Sequence, residues 1–199
     1  MSVKLFGKLA AAALLAAGLA GCIDVNIDVA ITSPSTARAT MTQVMGADVY
    51  SMVKMSAESD QQQDDSFCAE GELTENGDGS ATCVITEEGN FAELDLGQDE
   101  GGMTFTEAGP GLVRVALPTA DMQAELGADD NMDEQTRQMV EAFFEGRTMT
   151  IGVSGAEIVE SNMTVSADKT RAEQIIDMLA LINGDAALPD ELFAVVRAP

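Results

Sequence analysis

The chain has 199 residues, 34 of them acidic against 10 basic, no histidine and a formal net charge of −24 at pH 7. That length suits one domain with a real core. The charge repels phosphate backbones and leaves no basic stripe to displace counterions, which excludes nucleic acid, and the missing histidine removes the usual general base, the Ser-His and Cys-His pairs and the commonest zinc ligand.

At the N-terminus Lys4 and Lys8 precede an apolar run from Leu9 to Leu19, which ends at the small residues Ala20 and Gly21 before Cys22. This is the pattern of an export signal. The run is shorter than the roughly 20 residues a membrane-crossing helix needs. Leu19-Ala20-Gly21-Cys22 resembles the lipobox of bacterial lipoproteins. The resemblance implies that residues 1–21 are a cleaved signal peptide and that Cys22 becomes the lipid-modified first residue of a single domain, 22–199. Ile23 rather than aspartate follows the cysteine, which by resemblance to the enteric sorting rule favours the outer membrane, facing the periplasm. Loss of both signal lysines leaves eight basic residues against 34 acids, a net charge of −26. Attachment is therefore expected to rest on the acyl chains, with the acidic domain standing off anionic headgroups. Most of that charge reads as a solvated surface, with a basic or divalent-cation partner as the sharper alternative.

Ile23, Val25, Ile27, Val29 and Ile31 alternate with Asp24, Asn26, Asp28 and Ala30, the period of a half-buried strand. Thr32 to Thr36 supply a turn, and Ala37 to Thr42 the returning arm. Val49, Met52 and Val53 shift to helical spacing over 47–56, after Gly46. Residues 60–66 are polar and aperiodic, a loop. Cys68 and Cys83, the remaining cysteines, are expected to form a disulfide in an oxidising compartment, with a redox pair as the alternative. Between them, residues 71–87 read as a hairpin around Asn76-Gly77-Asp78-Gly79, with a type I′ turn. A second hairpin is expected from 103–107 and 112–117.

Helical patterns follow at 119–126 and 132–145, with Asn131 as N-cap of the second. Strands are expected at 148–153, 156–161 and 163–167, then a helix over 172–182 from the spacing of Ile175, Ile176, Leu179 and Ile182. A last strand covers 192–197. Mixed elements without regular βαβ alternation predict an α+β fold, an antiparallel sheet built from hairpins with three to four helices packed on one face.

No constellation specifies catalysis. Ser51-x-x-Lys54 has the spacing of the serine β-lactamase nucleophile, but the expected companion elements are unconvincing at Ser161-Asn162 and absent at Lys169-Thr170-Arg171, and a helix-surface pair explains it. Glu75 to Gly79 lacks the twelve-residue calcium pattern. The acids Asp129, Asp130, Asp133 and Glu134 suit a helix N-terminus. Met41, Met45, Met52 and Met55 invite a Cu(I) reading, but their intervals look like core positions. No metal site and no cofactor are expected.

Gly155-Ala156-Glu157-Ile158-Val159-Glu160-Ser161-Asn162, after one strand and before Thr164-Val165, resembles the LppM-like bacterial lipoproteins. In that family such a strand-glycine-strand element follows a helical insertion, and a strand hairpin follows the lipidated cysteine. The resemblance implies an α+β lipoprotein domain with a lipid-binding groove and no known catalysis. The expected function is thus a non-enzymatic, lipid-anchored envelope protein binding a lipid or a protein partner. The alternative is a structural or assembly subunit docking on a membrane-associated complex.

Overall fold

The computed structural model describes residues 23–59, 67–94, 96, 102–120 and 134–199. Outside these lie the signal segment 1–21 with Leu19, Ala20, Gly21 and Cys22. So do the 60–66 loop, nearly all of the 119–126 helix, Asn131 and Asp129, Asp130 and Asp133.

Among the described residues eleven strands form two sheets. The first pairs β1 (Ile23–Ser33), β2 (Thr36–Met45), β3 (Glu72–Glu75), β4 (Ala81–Asn90), β7 (Thr148–Ser154), β9 (Thr164–Val165) and β10 (Arg171–Asp177) in the order β3-β4-β2-β1-β7-β10-β9. The second runs β5 (Thr104–Gly109), β6 (Leu112–Pro118), β11 (Glu191–Arg197), β8 (Glu157–Ser161), in that order. The alternation of apolar residues sets the faces: Val29, Ile31, Ala37, Ala39, Ile151 and Val153 of the first sheet meet Val113, Val115, Leu192, Ala194 and Val196 of the second in one buried core. Gly155 carries the chain from β7 in one sheet to β8 in the other. A Cβ there would overlap Val196 Cγ1 and stand 3.1 Å from the Arg197 carbonyl oxygen.

The expectation of an α+β fold with three to four helices on one sheet face is overturned. Among the described residues two helices exceed two turns, α1 (Ala47–Ser59) and α2 (Glu134–Phe144), and α3 (Met178–Ile182) is five residues long. A second sheet, rather than a helical layer, covers the first around Val29, Ile31, Ala39, Ile151 and Val153. The expected 172–182 helix is mainly strand: Ala172 and Ile176 are buried while Ile175 is 57% exposed, the alternation of a sheet. The helix begins only at Met178, where Asp177 Oδ1 accepts the Ala180 amide hydrogen as N-cap. Nor is the first sheet purely antiparallel, because β1 and β7 run parallel, Val25 opposite Met149 and Val29 opposite Val153. The Asn76–Gly79 turn is not type I′ either. Of its residues Gly79 alone has positive φ, 86°, and its amide donates to the Asn76 oxygen at 3.0 Å, the three-residue hairpin loop that ends in a left-handed glycine.

Candidate functional site

The two faces of the first sheet differ in chemistry. The outer face carries Asp24, Asn26 and Asp28 along β1. Arg147 pairs with Asp24 at 3.1 Å, and Arg171 with Asp28. Asn26 Nδ2 donates to Asp28 Oδ2 at 2.8 Å. Along β1 this face is polar, its charges closed on one another. Each of the six arginines is ion-paired, to Glu88, Glu191, Glu134, Asp24, Asp28 and Glu157 from Arg38, Arg114, Arg137, Arg147, Arg171 and Arg197 in turn. The excess of acids is therefore what solvent meets.

The inner face is apolar and covered in two places. The second sheet lies over Val29 and Ala39. Near the other end α1 and Phe67 pack over Met45, Ala81 and Val25 through Val49, Tyr50 and Val53. Between these covers one row of the ladder, Ile27 opposite Met41 opposite Ile85, remains partly exposed and is grouped with neither core. Centre to centre, the three strands give this trough a length of about 10 Å along the row. Buried Gln43 bounds it on the α1 side, its Nε2 donating to Met41 Sδ at 3.5 Å. Gly71 bounds it at β4, so close that a Cβ would stand 2.8 Å from Ile85 Cγ1 and Cys83 Sγ. Aliphatic and thioether surface with one amide at its margin can accept a hydrocarbon segment and offers no nucleophile. By contrast, the space between the sheets, lined by Met103, Val115, Ile151, Val153 and Leu192 among others, is a void of about 10 Å³, room for about one water.

A clasp fixes α1 beside the trough. Glu75 Oε1 accepts from Tyr50 Oη at 2.8 Å and from Lys54 Nζ at 2.7 Å. Those bonds, Lys54 first, hold the Glu75 carboxyl below its ordinary value, and burial and then Glu75 push the Tyr50 phenol up. The segment entering β3 is pinned by the disulfide: Cys68 and Cys83 are joined, their Cα atoms 5.5 Å apart.

The other sequence candidates disperse. Ser51 Oγ donates to the Asp48 carbonyl while Lys54 turns to Glu75, so Ser51-x-x-Lys54 makes no nucleophile pair. Ser161 Oγ and Asn162 Nδ2 donate to the Phe193 and Glu191 carbonyls, both at 2.7 Å, splicing β8 to β11. Asp78 accepts from the Ser80 amide and hydroxyl within its turn. Met45 is buried whereas Met52 and Met55 are 50% and 62% exposed, so the four methionines do not converge. Among the described residues no three acidic or cysteine side chains form a metal-holding group, and no helix is long and apolar enough to cross a membrane. Sequence reasoning placed Ile27 in a strand but had no signal for the trough, because nothing local says which apolar row stays uncovered.

The described residues define a two-sheet β domain with an apolar trough. No family model matches the chain, and no curated protein matches it. Among solved structures it is similar to the NMR structure of the folded domain of Mycobacterium tuberculosis LppM, at 12% identity and a TM-score of 0.48, over 89% of this chain and 91% of that one.

Proposed function

We propose that residues 22–199 are a non-enzymatic cell-envelope domain, anchored through acyl chains on Cys22, that binds a lipid hydrocarbon segment in the trough. The observation that carries this reading is the partly exposed row Ile27, Met41, Ile85 between two covered parts of one sheet face. Two or three acyl chains at Cys22 supply stable attachment, each buried methylene contributing about 0.8 kcal/mol. They also keep the trough beside its ligand. Ile23 after the cysteine favours, by resemblance to the enteric sorting rule, the outer membrane facing the periplasm as its place.

The test is native mass spectrometry of the full-length protein extracted from its membrane in mild detergent. Bound lipid is expected on the wild type and is expected to fall sharply in Met41→Lys and Ile85→Lys variants whose thermal unfolding remains cooperative. Lipid retained equally by all three sinks the trough as its site. The anchor is tested separately, because Cys22→Ser should release the protein from membranes.

The second reading, an assembly subunit docking on a membrane complex, is favoured by β3. All four of its residues are exposed, including Leu73 at 45%, and among the described residues it pairs with β4 alone, at the edge of the sheet, a geometry open to strand addition. Under that reading a protein rather than a lipid is recovered with the wild type, and Leu73→Pro abolishes the association.

A further inference from the structure

The last row of the seven-stranded sheet runs Glu75, Ala81, Met45, Ile23 through consecutive backbone pairs. Helix α1 starts two residues after Met45 and stays on that row. Tyr50 and, one turn later, Lys54 both bond the Glu75 carboxylate. Three ladder steps of about 4.8 Å each put the Glu75 backbone, whose carboxylate holds Tyr50 and Lys54, about 14 Å from the Ile23 backbone. The sequence places no residue between Cys22 and β1. The opposite end of the hairpin, at Ser35, lies about ten residues up the strand, on the order of 33 Å away. Met52 and Met55 stand 50% and 62% exposed on α1, three residues apart and so on one side of the helix. The charge of Lys54 beside them is already engaged by Glu75.

We propose that α1 is the surface with which the domain meets the lipid bilayer, Met52 and Met55 entering the interfacial region of the membrane that takes the Cys22 acyl chains. This rests on the reading of Cys22 as the lipid anchor. With no linker the end row of the sheet cannot withdraw from the headgroups, and the long apolar side chains presented at that end are methionines, flexible enough to fit irregular lipid packing. A helix lying in this region sinks its apolar side about 5–10 Å toward the acyl boundary. Asp48, at the start of α1, and Asp78, in the turn after Glu75, share the same end and repel anionic headgroups, so zwitterionic lipid is the favourable surface.

The test uses the full-length processed lipoprotein reconstituted in phosphatidylcholine vesicles, with an environment-sensitive dye on Met55→Cys or, separately, on Ser35→Cys. The native disulfide and the acylated Cys22 leave the introduced thiol as the one that reacts. The dye at position 55 is expected to shift to the blue and to be quenched several-fold more than the dye at 35 by nitroxide-bearing acyl chains. Protein that floats with the vesicles while both dyes remain equally water-exposed overturns the proposal. Wild-type protein that does not float overturns the anchor, and the orientation falls with it.

Discussion

Arg171 on β10 reaches Asp28 on β1 across the intervening strand β7, through the space left where Gly152 lacks a side chain. A Cβ at Gly152 would overlap both the guanidinium and the Asp28 carboxylate. Burial works against the charge on Arg171, but its bonds to Asp28 and Glu173 outweigh that and hold it more firmly protonated. Gly152→Val should therefore lower unfolding stability by about 1–3 kcal/mol, despite the better strand propensity of valine. In a double-mutant cycle with Asp28→Asn, the combined loss should fall short of the sum by roughly 0.5 kcal/mol or more. Strict additivity in urea unfolding would show that Gly152 serves some other purpose.

The disulfide closes a loop of sequence separation 15 and holds Phe67 edge-on against Tyr50, ring centroids 6.4 Å apart. Replacing both cysteines by alanine should cost about 3 kcal/mol on the chain-entropy account. The loss should also be uneven. Hydrogen exchange should accelerate more over α1 and β3 than over β7, whose core lies under the second sheet, and a uniform rise would place the effect of the bridge wholly in the unfolded chain.

The strands near the N-terminus were legible because Ile23 to Ile31 obey a strict period of two. The 172–182 segment misled for a physical reason. Adjacent Ile175 and Ile176 satisfy a helical template through Leu179 and Ile182, yet the segment is the alternation Ala172, Gln174, Ile176 followed by a separate short helix, and only the neighbouring β7 decides between them. The parallel pairing of β1 with β7 joins segments over a hundred residues apart, and alternation reveals a strand's faces but not its neighbours. The same gap hid the trough. Ile27, Met41 and Ile85 have the same local pattern as Val29 and Ala39, and what separates them is where the second sheet and α1 end.

Gly155 was legible as a sequence feature, and its reason is steric. Gly155→Ala drives a methyl group into fully buried Val196 and toward the Arg197 oxygen, an overpacking expected to cost about 1–3 kcal/mol. Val196→Ala removes the clashing Cγ1. The pair should therefore be less destabilised than the two single losses added together, with the denaturation midpoint as the readout. A Gly155→Ala protein as stable as wild type would mean that the crossing between sheets relaxes freely.

The clasp at Glu75 makes the seat of α1 depend on pH, and its sign follows from the direction of the shift. Bonds from Lys54 and then Tyr50 lower the Glu75 pKa below its ordinary 4.5, so the folded state binds that proton less readily than the unfolded chain. Stability from this group is present above the ordinary value and is lost as pH falls through the folded value. Tyr50 acts at the alkaline end. Its pKa lies above the ordinary 10.0, with burial the first cause, so its contribution is present below that value and disappears as pH rises through the folded one. A Glu75→Gln variant should lose the acid-limb dependence assigned to α1 while leaving the second sheet unchanged, followed by the carboxyl and backbone resonances of residues 47–55. Glu75 is exposed, so solvent screening should keep the effect on global stability small. The local signal is the decisive one: if the α1 resonances of wild type and Glu75→Gln titrate identically below pH 4.5, the carboxylate does not hold the helix in place.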